Sequence, residues 1–593
     1  MKRLVLAFLL LSPALAARQD GAATFPARAL GVSSMALRQT MADYWEWRLA
    51  NEPELATRMG RHEYDDRWTD WSAEARARRR EAREEFLREM RYVGAGNLTR
   101  AEHLNADLLE YDLRTQLEAG DYLDFVNGVQ QIYGFHNRVP MTVDQMPAET
   151  VRDYERIVAR IGAVPQYVDQ VIAMMRGQLD AGLAQPAVVI DLVLAQLSAQ
   201  AATTAADSPL LAAFGDISDA VPGADRERLR REAVTAYERR FVPAWRRLEA
   251  FLRDDYRPRA RTDAGIHGVP NGGAIYATLI EAATTTDMTA DEIHALGLRE
   301  VTRIEAAMQA EVTRTGFDGT VAQYAAALAA DPGMHFSSKA EMLAYAREVV
   351  ARAEQRLPTL FGSLPRTDLG IRPIPPDREA ASPSSYTPGT PDGSRQAWFN
   401  LNTYRPETQL RYTLDAVVLH EALPGHHVQI ARALELEDVP AFRRATSALA
   451  FSEGWALYAE SLGAELGVYR EPATRFGQLE SELFRAVRLV VDTGIHELEW
   501  SRERARAYFA EHVPSQSLAE VDRYIAWPGQ ALAYKIGELR IRELRRRVES
   551  ELGADFELRA FHDLVLGNGD LPLTILEDQV QAALDPSLVP APR

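Results

Sequence analysis

The spacing of apolar residues along the chain predicts amphipathic helices. Within residues 225–256, apolar positions recur three or four apart among many arginines and glutamates, as from Phe241 to Trp245 and Leu248. This spacing places the apolar side chains on one helical face. Pro243 predicts a kink or a restart inside the stretch. The same periodicity predicts helices over residues 78–92, 148–179, 291–314, 339–354, 480–492 and 530–552.

Strand patterns are scarce by comparison. The best short candidate covers residues 396–402, and a long loop is predicted over residues 366–392, which contain six prolines. Thr289 and Glu292 have the spacing of a capping box and predict where one helix begins. The chain is therefore predicted to be predominantly α, with a minor short-stranded element.

The first residues predict an export signal. A basic start at Lys2 and Arg3 is followed by a short apolar run and by small residues at Ala14 and Ala16, which is typical of a signal peptide, here over residues 1–17. The apolar run is too short to span a bilayer, and no cysteine follows it to carry a lipid. We therefore expect an exported protein, periplasmic or extracellular, without a membrane anchor.

Composition narrows the possible chemistry. The chain has 593 residues, no cysteine and a formal net charge of -18. Without cysteine there are no disulfides, thiolate metal sites, cysteine nucleophiles or iron–sulfur clusters. The negative charge disfavours nucleic acid and anionic membranes as partners. Any metal ion must therefore be held by histidine, aspartate or glutamate.

The segment His-Glu-Ala-Leu-Pro-Gly-His-His, from His420 to His427, is the strongest candidate for chemistry. In zincin peptidases, two histidines four positions apart on one helical face bind zinc, and the glutamate after the first histidine activates water. Here Pro424 occupies the position of the second histidine and cannot bind a metal. A helix break at Pro-Gly would let either His426 or His427 join His420, and the residues alone leave both possibilities open.

Carboxylates supply the other predicted roles. Glu453 is the candidate third ligand, because two imidazoles and one carboxylate leave the fourth zinc position open. Glu460, two turns further on, is expected to support a ligand by hydrogen bonding, and Glu421 is the candidate general base. The alternative interpretation is that these glutamates are solvated helix charges. The apolar segment 448–451 disfavours it, because a buried charge needs a partner.

Two side chains are candidates to stabilise the oxyanion that forms when water attacks a carbonyl carbon. His496 follows Asp492 by one helical turn, so the carboxylate is placed to orient the imidazole. Tyr534 follows a Pro-Gly-Gln turn at the start of a predicted helix, from which a phenol can reach into a cleft. Each is equally compatible with a packed, hydrogen-bonded structural role.

Three further residues are candidates for binding substrate. Arg488 lies on the helix predicted over residues 480–492 and would bind a substrate carboxylate, with a surface salt bridge as the alternative. Arg395 and Asn400 lie in segment 392–402, whose strand edge would pair with an extended peptide. A structural role for this segment is the alternative.

Residues 420–429 also resemble the signature of the bacterial family called "domain of unknown function 885", which resembles gluzincin metallopeptidases. The resemblance implies that residues 18–593 form one large helical, zincin-like catalytic unit around a cleft or channel. Its N-terminal helical part would cover about 34–256 and its metal-site part about 257–585. The family pattern favours His426 over His427 as ligand. Similar segments occur at residues 44–71, 284–287, 392–395, 399–401, 452–455, 492–496 and 528–535.

These features predict an exported zinc-dependent hydrolase, in the first place a metallopeptidase of short peptides. One Zn²⁺ would be held by His420, His426 and Glu453, and Glu421 would pass a proton from water to the leaving amine. The alternatives are a zinc amidase or esterase acting on a non-peptide substrate, and an exported protein that binds a metal or ligand without catalysis. Imidazole–carboxylate sites also accept manganese, cobalt or iron. The oligomeric state and the cleavage specificity stay open.

Overall fold

The protein is predominantly α-helical, as predicted, with one three-stranded sheet. The fold is that of a computed structural model, which describes residues 34–94, 98–375, 379, 382–513 and 515–584. The predicted export signal at residues 1–17 lies outside the described residues. Within them, no helix combines the length and the apolar character needed to cross a bilayer.

The N-terminal part is built from helices α1 to α11. The helix predicted over residues 225–256 is confirmed as two helices, α10 and α11, joined by a π-helical segment, Tyr237–Phe241. Pro243 lies in the first turn of α11, where a missing backbone N–H is tolerated, so the predicted restart is confirmed. The helices are α1 (Met35–Asn51), α2 (Pro53–Arg58), α3 (Ala73–Gly94), α4 (Arg100–Glu118), α5 (Gly120–Gly128), α6 (Phe135–Val143), α7 (Val151–Asp180), α8 (Ala187–Ala202), α9 (Ala212–Gly215), α10 (Gly223–Ala236) and α11 (Val242–Phe251).

The second part carries helices α12 to α25. The capping box is confirmed, since the Thr289 side chain accepts from the backbone N–H of Glu292 and the Glu292 carboxylate accepts from that of Thr289. The helices are α12 (Gly272–Thr284), α13 (Ala290–Arg314), α14 (Val321–Ala330), α15 (Lys339–Glu354), α16 (Leu357–Leu360), α17 (Arg411–Glu421), α18 (His426–Leu434), α19 (Leu449–Ser461), α20 (Pro472–His496), α21 (Arg502–His512), α22 (Ala519–Ala526), α23 (Ala533–Leu552), α24 (Leu558–Leu566) and α25 (Leu573–Leu584).

The sheet consists of β1 (Leu369–Pro373), β2 (Ser385–Thr387) and β3 (Ala397–Leu401), in the order β1-β3-β2. β3 pairs in parallel with β1 and antiparallel with β2. The predicted strand over residues 396–402 is thus confirmed, whereas segment 366–392 contains two short strands besides loop. Because β3 is the central strand, both its edges are occupied, and the prediction that its edge pairs with a peptide is wrong.

Three buried apolar clusters form the interior. The largest joins both parts of the chain, since it contains Leu37 of α1 and Leu109 of α4 as well as Leu419 of α17, Phe451 of α19 and Ile536 of α23. A second cluster fills the space among α7, α8, α10 and α11, and a third surrounds α13 and α20. Helices α17, α19 and α23 are therefore packed from several sides, which fixes the side chains at their ends.

Candidate metal centre

The predicted helix break at Pro-Gly is present. α17 ends at Glu421 and α18 begins at His426, and the Leu423–Pro424 peptide bond between them is cis. A Cβ atom on Gly425 would overlap the backbone carbonyls of the last turn of α17, so only glycine fits there. The indole N–H of Trp455 on α19 donates to the carbonyl of Pro424 at 2.9 Å. The break is thus anchored to the helix that carries Glu453.

Three side chains converge at this break. Nε2 of His420 lies 3.5 Å from Oε2 of Glu453, and Nε2 of His426 lies 3.4 Å from the same oxygen. One ligand atom from each of the three residues lies within 4.8 Å of the others. Ligand atoms about 2.0–2.1 Å from a tetrahedral zinc ion are roughly 3.3 Å from one another. The spacing of these donors therefore suits a single divalent cation.

The electrostatics of the cluster also suit a cation. Oε2 of Glu453 is buried and has no hydrogen-bond partner among the described residues, and a buried oxygen in this state is costly unless something neutralises it. Burial would raise the pKa of Glu453, but the two imidazoles hold it well below its usual value. Burial opposes charge on His420, yet Glu453 and Glu460 raise its pKa to about 9. The carboxylates thus attract positive charge to the cluster.

Further residues orient the two imidazoles. Glu460, fully buried on α19, lies with Oε1 2.9 Å from Nδ1 of His420 and 3.5 Å from the guanidinium of Arg485. It therefore occupies the supporting position predicted for it. On the other side, the Ser452 hydroxyl lies 3.5 Å from Nδ1 of His426 and donates to Gln429 at 3.1 Å. Such partners typically set the orientation and basicity of metal-binding histidines.

Glu421 is placed beside the cluster without belonging to it. Its carboxylate is half-buried and makes no hydrogen bond with the described residues. Burial raises its pKa, although positive charge on His420 and His426 would lower it. A carboxylate with a raised pKa and free lone pairs is suited to take up a proton.

Tyr534, in the first turn of α23, faces the cluster. Its ring stacks over that of His420, with centroids 6.3 Å apart. The phenol oxygen accepts from Arg523 at 3.1 Å and from Gln530 at 3.4 Å, so its own hydrogen is free to be donated. The guanidinium of Arg488 lies 4.5 Å from the centre of the Tyr534 ring. Tyr534 therefore has the geometry expected of an oxyanion donor.

Arg488 itself is mostly engaged by the protein. Its Nε donates to the Tyr524 hydroxyl at 3.1 Å, and Nη2 pairs with Glu520 at 3.0 Å. Nη1 is buried without a hydrogen-bond partner among the described residues. One edge of the guanidinium is therefore left without an acceptor among the described residues.

His427 takes no part in the cluster. Its Nδ1 lies 3.2 Å from the hydroxyl of Tyr386 on β2, and burial lowers its pKa to about 4. The ring of Tyr386 also stacks over that of His426, at 6.5 Å between centroids. Of the two histidines that the sequence left open, the structure thus brings His426 to Glu453.

The predicted role of His496 is wrong. The backbone N–H of Ile266 donates to its Nδ1 at 3.0 Å, and its Nε2 donates to the carbonyl of Tyr524 at 2.9 Å. Burial lowers its pKa to about 3, so the ring is neutral and both nitrogens are used. Asp492 does not orient it, because that carboxylate accepts from the Tyr276 hydroxyl at 2.6 Å. His496 instead ties α20 to neighbouring segments.

The predictions for Arg395 and Asn400 are also wrong. The Asn400 side chain donates to Thr387 at 2.8 Å and to the carbonyl of Ser385, and it accepts from Arg372 at 2.7 Å. The donors and the acceptor of its side-chain amide are therefore engaged in hydrogen bonds within the sheet. The guanidinium of Arg395 donates to two backbone carbonyls of the N-terminal part, at 3.4 and 3.2 Å, so it joins the two parts of the chain.

Three residues near the cluster were not found from the sequence. Tyr386 packs on both histidines, and Arg523 bonds to Tyr534. Tyr133, between α5 and α6, packs edge-on against Trp527, with ring centroids 5.6 Å apart, just after the helix that carries Arg523. No motif or spacing marks these residues, because each comes from a separate segment.

Comparison with solved structures finds this fold in bacterial proteins. A protein of Colwellia psychrerythraea, described as a "putative lipoprotein", is 27% identical with a TM-score of 0.87, over 93% of this chain and 99% of that chain. A "putative lipoprotein of unknown function" of Shewanella oneidensis is 18% identical with a TM-score of 0.64, over 93% of this chain and 100% of that chain, which shows likeness of fold alone. No curated protein matches. The family model described as "Bacterial protein of unknown function (DUF885)" matches residues 53–580.

Proposed function

This chain belongs to the DUF885 family, and we propose, from the geometry of its candidate centre, that it is an exported zinc-dependent hydrolase of short peptides. The observation that carries the proposal is the convergence of His420, His426 and Glu453 on one point. Glu421 faces that point as the general base, and Tyr534 faces it as the hydrogen-bond donor. Export is supported by the expected signal peptide and by the description of the similar Colwellia psychrerythraea protein as a "putative lipoprotein".

The donor set fits a hydrolytic metal site. Two imidazole nitrogens and one carboxylate oxygen match a catalytic rather than a closed structural zinc site, since a fourth position stays open. Bound there, a divalent cation would lower the pKa of water and polarise a carbonyl group. Glu460 and Ser452 would hold the imidazoles in place.

The chain's own residues supply the proton transfers. Glu421, whose lone pairs are free, takes a proton from the attacking water and passes it to the leaving amine. Tyr534 donates its unused hydrogen to the oxyanion, while Arg523 and Gln530 hold the phenol in place. Arg488 offers Nη1 to a substrate acceptor.

Burial of the centre supports short peptides as substrates. His420 and His426 are 4% and 8% exposed, so a scissile bond must be carried into the interior to reach them. A flexible peptide can enter in this way, and a folded protein cannot. We expect short peptides to be cleaved at least about a hundredfold faster than an intact folded protein, at equal concentration of susceptible bonds.

The test is a comparison of Glu421→Gln with wild type on a mixture of short synthetic peptides, read by mass spectrometry. We expect kcat/KM to fall by about a thousandfold or more, with the zinc content unchanged. Glu437→Gln, at a carboxylate that is 71% exposed, is the matched control and should retain full activity.

Other outcomes would replace the proposal. If zinc binds and peptides stay intact while simple esters or non-peptide amides are hydrolysed, the enzyme is an esterase or amidase. If Glu421→Gln changes neither turnover nor metal content, the glutamate is no catalytic base. Retention of zinc without turnover of any substrate would indicate a binding protein.

A further inference from the structure

A large cavity lies in the N-terminal part of the chain. Its volume is about 760 Å³, within the range of about 300–1,000 Å³ that is typical of small-molecule sites. Its walls come from α2, α3, the ends of α4 and α5, and α6. Nothing in the proposed chemistry assigns this space a role.

The cavity is rich in positive charge, although the whole chain carries a net charge of -18. Six arginines and four carboxylates line it, so the local excess is positive. The carboxylates include Glu52, which pairs with Arg83 at 3.6 Å, and Asp121, which pairs with Arg76 at 3.1 Å. Such an excess attracts an anion of low charge and repels a cation. The lining arginines are Arg58, Arg76, Arg79, Arg80, Arg83 and Arg138.

Arg58, at the end of α2, differs from the other five arginines. Among the described residues its backbone carbonyl accepts from Arg395, whereas its guanidinium has no hydrogen bond or ion pair. The side chain is exposed and lines the cavity. By contrast, Arg79 donates to the carbonyl of Asp70, and Arg138 donates to that of Tyr133 at 2.9 Å. Arg58 is therefore accessible and has no acceptor among the described residues of the protein.

Tyr133 connects the cavity to the metal centre. It lines the cavity, and its ring packs edge-on against Trp527, with centroids 5.6 Å apart. Trp527 directly follows α22, whose Arg523 donates to the Tyr534 hydroxyl at 3.1 Å. The Tyr534 ring stacks over that of His420. A peptide that ran past Tyr133 would therefore have one end near the cluster and the other in the cavity.

We propose that this cavity binds a carboxylate group of the peptide substrate, supplied by its C-terminus or by an acidic side chain, with Arg58 as the principal donor. The proposal rests on the proposed peptidase function. A carboxylate can accept two parallel hydrogen bonds from a guanidinium, which fits one unpartnered arginine. The positive excess disfavours the ammonium group of a peptide, so the substrate's anionic side lies in the cavity. Substrate specificity then depends on a carboxylate that is remote from the scissile bond.

The test measures binding, so that it does not depend on turnover. In the Glu421→Gln background, calorimetry gives the Kd of three probes. They are Ala-Phe-Ala-Phe-Ala with a free C-terminus, its C-terminal amide, and the amide of Ala-Phe-Ala-Phe-Glu. We expect at least one carboxylate-bearing probe to bind about tenfold or more tightly than the plain amide, and the probe that does so identifies the source of the carboxylate.

Variants of Arg58 test whether this residue is the principal donor to the carboxylate. Arg58→Met should abolish the preference for carboxylate, and Arg58→Lys should retain part of it. The matched control is Arg88→Met on α3, whose side chain is 61% exposed, and it should keep the full preference. Circular dichroism and the zinc content establish that each variant is folded.

Several results would overturn the proposal. The proposal fails if the acid and amide probes bind equally or undetectably. It also fails if the preference for carboxylate persists in Arg58→Met. If inorganic phosphate binds more tightly than either acidic probe and loses affinity in Arg58→Met, the cavity is a site for a free anion. If no peptide is cleaved by wild type but the Arg58-dependent preference is found, the proposed peptidase function fails while the carboxylate site stands.

Discussion

His426 and His427 are neighbours in the chain, but their imidazoles have different partners. The first faces Glu453, and the second faces Tyr386. We predict that His426→Gln raises the Kd for zinc by at least about a hundredfold, because it removes a direct ligand. His427→Gln should change that Kd by less than about tenfold. Equilibrium dialysis against buffered zinc, with metal analysis of the protein, measures both.

The same two variants can also contradict the assignment of His426 as the ligand. If His427→Gln lost zinc and His426→Gln kept it, His427 would be the ligand in place of His426. Loss in both variants, with normal folding by circular dichroism, would mean that Tyr386 and His427 hold the cluster together.

Asp492 makes the stability of the protein depend on pH. Burial raises its pKa to about 7 from an ordinary value of 3.8. Between these pH values the folded state keeps a proton that the unfolded chain has lost, so the free energy of unfolding falls as the pH rises. The loss is complete above the folded-state pKa and amounts to roughly 4 kcal/mol.

We therefore predict that Asp492→Asn is more stable relative to wild type at pH 8 than at pH 4. The asparagine cannot ionise, and its oxygen still accepts from Tyr276 and from the backbone of Gly529, as the carboxylate does. Thermal unfolding of both proteins across this pH range is the measurement. A difference between them that is the same at pH 4 and pH 8 would contradict the predicted protonation.

At the level of helices, the contact between α19 and α23 sets the distance between the cluster and Tyr534. Gly454 and Gly537 face each other where the two helices cross, and a Cβ atom on either would overlap the backbone of the other helix. Gly454 is next to Glu453, so any separation of the helices moves a ligand. Glycine here permits a close approach that its low helix propensity alone would disfavour.

We predict that Gly454→Ala weakens zinc binding and lowers the free energy of unfolding by about 1–3 kcal/mol, as expected of overpacking. The matched control is Gly162→Ala in α7, where a Cβ atom meets no other atom within 4 Å. This change should raise the free energy of unfolding by roughly 0.5–1 kcal/mol. Chemical denaturation and zinc titration measure both. Normal zinc affinity in Gly454→Ala would show that the crossing does not position Glu453.

At the level of the whole molecule, metal binding and stability are linked. A ligand that binds only the folded state stabilises it by about 4 kcal/mol at a concentration a thousand times its Kd. Helices α17, α18 and α19 all meet at the cluster, so a cation there joins three helices. We predict that chelation lowers the Tm by a few degrees and that zinc restores it. The measurement is scanning calorimetry of chelated and zinc-loaded protein.

The variant His426→Gln is the control for that prediction. Its Tm should be low and insensitive to zinc. If zinc raised the Tm of wild type and variant equally, the stabilising ion would be bound elsewhere.

The local features of this protein follow from its sequence. Apolar periodicity placed the helices, the Thr289–Glu292 pair marked the start of α13, and Pro424 with Gly425 predicted the break between α17 and α18. Each of these signals lies within a few residues, because helix formation, capping and breaking depend on neighbouring backbone and side-chain groups. The residue types suited to a metal site were visible for the same reason.

Which of these side chains meet depends on the folded structure as a whole. His426 faces Glu453 because Trp455 anchors the break to α19, and His496 is excluded because its ring nitrogens bond to Ile266 and Tyr524. These contacts join segments far apart in the chain, so no local pattern records them. The cavity around Arg58 was hidden for the same reason, since its walls come from several helices. Packing of distant segments, and not the spacing of residues, determines the geometry of the site.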